Sequence, residues 1–250
     1  PTVREILPVT GMTDSKSTSN LAVVGLDIAF PGGEGLAAFG RLVYRGIPME
    51  GLFGDGAAFR SAVVRLVQRV LQDARLSGEQ IPVITLSPHM AETARTSLAH
   101  LPVQDTSGAP DPLSAALAAA HELLITGMAG DVLILDSQAE PQTLSAVVLS
   151  LHDSEKPGQR RVYAEILFPS QEAFIPTELA AGHVHQAMLG SASITPEMVG
   201  LIVTASLTKS GIQPVQGEAI RSAYPGSGEL TCAMAGTSAG LSGLVKTAWC

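Results

Sequence analysis

The sequence is short of charge, of aromatic rings and of cysteine. Of its 250 residues only 15% are Asp, Glu, Lys or Arg and 4% are aromatic, and its two cysteines are Cys232 and Cys250. Two thiols build neither a disulfide framework nor a zinc cage, which implies a reducing, cytoplasmic setting. The basic excess that a nucleic-acid partner requires is missing, since 15 Lys and Arg stand against 23 Asp and Glu, a formal charge of −8. No run reaches the ~20 uninterrupted apolar residues of a membrane span, and residues 1–20 hold no apolar signal-peptide stretch. What fills the chain is small and apolar: 46% hydrophobic residues, rich in Ala, and 25 glycines. Such a composition folds, and its small side chains let helices and strands approach backbone to backbone. The length suits one large domain or two small ones.

Thr13–Asn20 is polar and without period, so residues 1–20 read as a linker and the chain as part of a longer protein, an expectation matched by its end in an apolar helical pattern. Leu21–Gly25 is a continuous apolar run, short enough for a buried strand, and Phe30–Gly33 a turn before a helix over 34–44. Residues 57–74 place Val63, Leu66, Val67 and Val70 at helical spacing opposite Arg65, Gln68, Arg69 and Gln72. A strand over 81–86 follows, then a loop over 104–112. The helix over 113–126 is made mostly of Ala and Leu, which predicts burial on nearly all sides, ending at Gly127. Strands are expected over 131–136, 144–149 and 161–168. The last third repeats the cycle, with helices over 177–189, 216–223 and 239–249 and strands over 200–205 and 228–232. Alternating strands and helices argue for an α/β fold. The two small-residue helices, each after a loop, argue for an internal duplication with halves over 21–155 and 156–250.

Few residues announce chemistry. Gly25, Gly32, Gly33 and Gly35 follow the first strand, but Phe30-Pro31 interrupts the geometry of a dinucleotide loop. Asp105, Ser107 and Asp111 stand at the mouth of the Ala/Leu helix, where free N–H groups favour an anion or an activated nucleophile. No base accompanies Ser107, so capping by Asp111 or Ser107 is the simpler reading. His183 and His185 are two apart and face different sides of a helix, which does not suit one metal. His89, His100, His121 and His152 are scattered. Cys232 has no cationic neighbour in sequence to lower its pKa and reads as a small buried hydrophobe.

The order of elements resembles a β-ketoacyl synthase of the thiolase-like superfamily. Leu21–Gly32 resembles the opening A-I-V-G-x-x-x-x-F-P-G, and 63–76 the helix ending in E-D-A-G. Asp105-Thr106 with 113–127 resembles the D-T-A-C-S-S-S-L loop and its helix. Arg161–Ala164 resembles D-R-V-Y-A, and Ala239–Lys246 resembles A-G-V-A-G-V-I-K. The resemblance covers 21–250 as one ketosynthase-like domain of layered α-β-α-β-α architecture, condensed before 161 and between 86 and the loop, and truncated at its C-terminus. Carried over position by position, the family's cysteine nucleophile falls on or next to Gly108, its first histidine near Ser206 and its second on Met234, and its motif lysine on Glu229. Glycine carries no acyl group, and methionine donates no hydrogen bond to an oxyanion. Ser107, Cys232 and Thr208 remain as a candidate residual pocket.

The resemblance therefore implies a catalytically inactive pseudo-ketosynthase, similar to the region preceding the acyltransferase in polyunsaturated-fatty-acid and polyketide-type synthases. It implies no cofactor or metal, no nucleic-acid or membrane partner, and docking to an acyl carrier protein or the adjacent acyltransferase; it leaves a homodimer open. Arg41, Arg45, Arg65, Arg69 and Arg75 are the sizeable basic cluster for an acidic carrier, or else a solvated helix face. Two alternatives stand beside this: an acyl-transfer or thioester-hydrolysing enzyme of the same fold with another nucleophile, and an unrelated α/β module that binds a small molecule.

Overall fold

The computed structural model describes residues 20–45, 51–76, 80–139, 142–152, 160–166 and 195, the backbone of four short strands between 201 and 234, and residues 241, 244, 245 and 248. Residues from Leu21 to Ile166 are organised by one seven-stranded mixed sheet. In chain order it is built from β1 (Leu21–Phe30), β2 (Gly33–Glu34), α1 (Leu36–Arg45), α2 (Gly56–Asp73), β3 (Val83–Thr85), α3 (Pro88–Ser97), β4 (Val103–Asp105), α4 (Pro112–Ile125), β5 (Asp131–Ala139), β6 (Gln142–Leu151) and β7 (Ala164–Ile166). The strand order is β2-β1-β6-β5-β3-β4, with β7 added beside the start of β1. β3 runs parallel to both β4 and β5, while β6 is antiparallel to β5 and β1.

Helices cover both faces, which is why the central strands are apolar throughout rather than alternating. On one face α2 lays Phe59, Val63, Leu66, Val67 and Val70 against Val83, Leu133, Leu135 and Val148, with Met90 and Ala94 of α3 completing the layer. On the other face Ala116, Ala120 and Leu124 of α4 pack with Ile84, Ile134, Val147, Leu241 and Val245. The helical residues Leu241 and Val245 are fully buried there, so the two small-residue helices share one core.

All ten residues of β1 are buried, and the strand runs five residues beyond the expected Gly25. A bulge makes this possible. Leu21 and Val23 face the α4 side and Ala22 and Val24 the α2 side; beyond the register shift between Val23 and Gly25 the parity reverses, so Leu26, Ile28 and Phe30 face α4. One inserted residue moves every following side chain to the other face, and it turns Gly25 and Asp27 toward α2. A Cβ on Gly25 would lie 2.8 Å from both the Ala74 Cβ and the Val70 carbonyl oxygen, so glycine permits this close crossing.

Three further departures from the sequence reading have physical causes. α3 was not expected; Ser87 caps it by accepting from the Met90 N–H, and Pro88 opens its first turn. β4 lies within the expected loop and reaches strand geometry by parallel pairing with β3. α4 is buried along one stripe, Ala116, Ala120 and Leu124, while Ala118 and Ile125 are exposed, Ile125 by 53%. Alanine favours the helix without requiring burial, so an Ala-rich sequence overstates how much of its surface is covered.

In the second half, β8 (Leu201–Thr204) pairs in parallel with β11 (Thr231–Met234), and β9 (Leu207–Thr208) pairs antiparallel with β10 (Gly211–Ile212). The expected linker and the helices over 177–189 and 216–223 lie outside the described residues. No described helix is long and apolar enough to cross a membrane.

Candidate functional site

In open α/β sheets ligands bind beyond the C-terminal ends of parallel strands. Here β3 and β4 end together, beside the middle of β5. β3 leads into Ser87 and β4 into Thr106 and Ser107, while β5 runs on past its pairing with β3 and carries Asp136 and Ser137 there, with the Ser87 and Ser137 hydroxyls 3.1 Å apart. The turn from β4 into α4 is set by Thr106. Its hydroxyl donates to the carbonyls of Thr85 (3.0 Å) and Pro112 (3.1 Å), and its N–H donates to Thr85 (2.9 Å).

The donors of this loop are turned inward. The Ser107 N–H donates to Asp105 Oδ1 at 2.9 Å, and the Ala109 N–H donates to the Thr106 carbonyl at 3.0 Å. Asp111 caps α4 by accepting from the Ser114 N–H at 3.2 Å and the Ser114 hydroxyl at 2.6 Å. Capping by Asp111, rather than by Ser107, is thus what the helix uses, and Pro112 brings no N–H of its own. Gly108 is exposed, and a Cβ there would meet nothing within 4 Å. Asp105 and Asp111 are both exposed at the mouth.

Asp136 is a site residue that the sequence did not announce. It lies 7% exposed on the α4 face and accepts hydrogen bonds from the N–H groups of Ser137 and Leu241. Burial raises its pKa above the usual carboxylate range, and the two N–H donors oppose that only in part. It therefore ties β5 to the helical residue Leu241. The signal available in sequence was an acid closing an apolar run, Val132–Asp136.

A second polar network locks α2 to β1. Arg69 donates to Asp27 Oδ2 at 2.6 Å and to Glu34 Oε2 at 2.5 Å, and Arg65 donates to Glu34 Oε1 at 2.7 Å. Burial nonetheless pushes the Asp27 carboxyl up despite the adjacent guanidinium, whereas the Arg65 hydrogen bond pulls the more exposed Glu34 down. Beside it, Asp73 accepts from the Leu26 N–H (3.2 Å) and the Tyr163 hydroxyl (2.8 Å). Burial, then Asp73, pushes the Tyr163 phenol up to about 12, and the Arg161 guanidinium lies 4.3 Å from its ring centroid. This revises the expected basic cluster. Arg65 and Arg69 are bound to acids of β1 and the β1–β2 hairpin rather than presented together to a partner.

No family model matches the chain, and no curated protein matches it. Solved structures do match. An oxazolomycin ketosynthase domain from Streptomyces albus superposes with a TM-score of 0.61 at 19% identity, over 92% of this chain and 78% of that one. The fold is that of a ketosynthase. The ketosynthase of module 6 of the bacillaene synthase from Bacillus subtilis gives a TM-score of 0.63 at 13% identity, over 92% of this chain and 58% of that one. A type II polyketide ketosynthase, solved in complex with its acyl carrier protein and bound to the hexaketide, gives 0.61 at 14% identity, over 86% and 80%. Identities this low establish architecture alone, and they leave the unrelated small-molecule module without support.

Within the ketosynthase fold, the positions the resemblance singled out are distributed as follows. Gly108 and Ser107 lie on the β4–α4 loop just described, Ser107 half-buried. Cys232 and Met234 lie on β11, in register with Ile202 and Thr204 of β8. Thr208 lies on β9, paired with Gly211. Ser206 and Glu229 are outside the described residues. Among the described residues no cluster of His, Cys, Asp and Glu could hold a metal ion.

Proposed function

We propose that the chain is a catalytically inactive ketosynthase-like domain of a multidomain fatty-acid or polyketide-type synthase, with a scaffolding or docking role beside an acyltransferase or acyl carrier protein. The observation that carries this reading is the β4–α4 loop. On or next to the position matching the family's nucleophile stands Gly108, open to solvent and without a reactive atom. Around it the Ser107 N–H is held by Asp105, the Ala109 N–H by Thr106 and the Ser114 N–H by Asp111. Two exposed carboxylates at the mouth repel the carboxylate of a malonyl thioester. Met234, matching a catalytic histidine, donates no hydrogen bond. Losing the nucleophile removes covalent catalysis, and losing a histidine donor removes part of the electrostatic stabilisation of an oxyanion. The carrier-protein complex of the polyketide neighbour supports a docking role by analogy of fold.

The test is intact mass spectrometry of the folded protein after incubation with acyl and malonyl thioesters. Unchanged mass with intact thioesters is expected. An acyl adduct on Ser107 or Cys232, or a condensed or hydrolysed product, would overturn the reading and establish a refitted enzyme.

A further inference from the structure

We propose that Asp55–Gly56 is a site of covalent modification in this chain, where the aspartyl residue isomerises through a cyclic imide to isoaspartate, the substrate class of a protein isoaspartyl methyltransferase. The reaction needs the amide nitrogen of the following residue to reach the side-chain carboxyl carbon. A side chain on that residue obstructs the approach, and glycine has none. Of nine aspartates and one asparagine in the chain, Asp55 alone precedes glycine. The structure separates it from the rest. Asp27, Asp131 and Asp136 are buried. The N–H after Asp73 donates to the Val70 carbonyl at 2.9 Å, and the N–H after Asp105 donates to the Thr85 carbonyl at 2.9 Å. Asp111 precedes Pro112, which has no N–H to give up. Asp14 and Asp153 lie outside the described residues and precede serine. Gly54, Asp55 and Gly56, by contrast, are all exposed. Asp55 is the N-cap of α2, and its Oδ1 accepts from the Ala57 N–H at 3.0 Å and the Ala58 N–H at 2.9 Å. These bonds fold the side chain back over the first turn, toward the Gly56 nitrogen. The Gly56 N–H opens the helix and has no acceptor among the described residues, so no hydrogen bond is given up when it reacts. The Gly56 nitrogen attacks the Asp55 carboxyl carbon; a C–N bond forms, a C–O bond breaks, and the amide proton leaves with the carboxyl OH as water. Water then opens the ring at the former main-chain carbonyl, so the mass is unchanged and the backbone runs through the side-chain carbon. The product no longer caps α2: the Ala57 and Ala58 N–H groups lose their acceptor. The disturbance reaches Phe59, which is buried one residue further on against Phe53 (ring centroids 6.0 Å apart) and His89 (4.8 Å).

The experiment ages the full 250-residue chain, its Gly56→Ala variant and a peptide of residues 51–60 side by side at neutral pH and physiological temperature. Tryptic mapping with electron-transfer fragmentation locates isoaspartate within residues 46–60, and methyl transfer from S-adenosylmethionine by an isoaspartyl methyltransferase counts it. In the folded wild type, conversion at Asp55 is expected within about tenfold of the peptide's rate and ahead of Asn20 and every other aspartate. Gly56→Ala keeps the cap, and its Cβ would lie 3.5 Å from the Arg60 Nη1, an ordinary contact, so the variant folds. It should convert about tenfold more slowly than wild type. Aged wild type, unlike aged Gly56→Ala, should lose about 2–4 °C of thermal midpoint with its cap. A folded-state rate more than about tenfold below the peptide's, another residue converting first, or a Gly56→Ala chain converting as fast as wild type overturns the assignment. A converted chain with an unchanged midpoint overturns the loss of the cap.

Discussion

Replacing Gly25 by alanine tests the packing of this sheet most directly. The added Cβ would sit 2.8 Å from the Ala74 Cβ, 2.8 Å from the Val70 carbonyl oxygen and 3.2 Å from the Ala74 N. Carbon contacts settle at about 3.5–4.0 Å, so the end of α2 must retreat by roughly 0.7–1 Å. None of the three atoms can swing aside, because two are backbone and the third is rooted directly on it. Overpacking of this kind costs about 1–3 kcal/mol. The retreat also lengthens the Leu26 N–H to Asp73 hydrogen bond, already 3.2 Å, adding about 0.5–1.5 kcal/mol. Alanine returns about 0.5–1 kcal/mol of backbone entropy, leaving a loss of about 0.5–4 kcal/mol, centred near 2 kcal/mol. For a chain of this size the central figure lowers the thermal midpoint by about 4–8 °C, measurable by circular dichroism at fixed scan rate. Ala74→Gly in the same background removes one of the two closest contacts and should restore part of the loss. A Gly25→Ala protein as stable as wild type would refute the bulge-and-crossing account of β1.

Other substitutions probe the remaining features. Gly108→Ala, at a site with open space, should change the midpoint by less than about 2 °C, and Gly108→Cys should yield an alkylatable thiol without condensing activity. Asp136→Ala strands the Ser137 and Leu241 N–H groups and should cost about 1–3 kcal/mol, whereas Asp136→Asn keeps an acceptor and should stay within about 1 kcal/mol of wild type at pH 7 by denaturant melts. Because burial raises the folded-state pKa of Asp136, the folded state binds its proton more tightly. Wild type should therefore gain stability relative to Asp136→Asn as pH falls through that raised pKa toward the ordinary carboxylate value. Glu34 runs the opposite way: its lowered pKa makes its contribution present above the ordinary carboxylate range and lost as pH falls through the lowered value, and Glu34→Gln should cost no more than ~1 kcal/mol, less in high salt. Tyr163→Phe should remove the tyrosine that titrates near 12 in an alkaline absorbance titration and cost about 1 kcal/mol through loss of the Asp73 hydrogen bond.

Features fixed by local pattern were readable from sequence, and those fixed by distant partners were not. α2 runs from Gly56 to Asp73, against an expected 57–74, because its apolar stripe has a strict helical period. The mouth of α4 was readable from Asp111-Pro112, a cap followed by proline. β1 was cut short at Gly25 because a glycine followed by Asp27 looks like an ending; Arg69, 42 residues away, is what allows that acid inside. Tyr163 and Asp73 meet across 90 residues, and nothing local marks either as half of a pair. α3 did carry a readable signal, Ser87-Pro88, but its body of Thr, Glu, Arg and Ser hides a stripe of only Met90, Ala91 and Ala94.

The placement of buried and half-buried acids bears on how the elements are joined. Asp27, Asp73 and Asp136 each sit where one element must be held to another: α2 to β1, α2 to the segment carrying Tyr163, and β5 to the second half. Breaking such a clasp by removing one partner strands the other, which is the costly outcome for a buried polar group. The β4–α4 loop differs in kind. Apart from Thr106, which is tied to Thr85, the polar contacts recorded for it run within a few residues, a Cβ on its glycine would meet nothing, and its outward carboxylates would oppose an anionic substrate. An enzyme concentrates its unsatisfied or strained groups where the reaction occurs. Here the raised carboxyls of Asp27 and Asp136 join one element to another, Asp136 beside the strand ends that lead to the candidate site, and this distribution is in keeping with the scaffolding role proposed above.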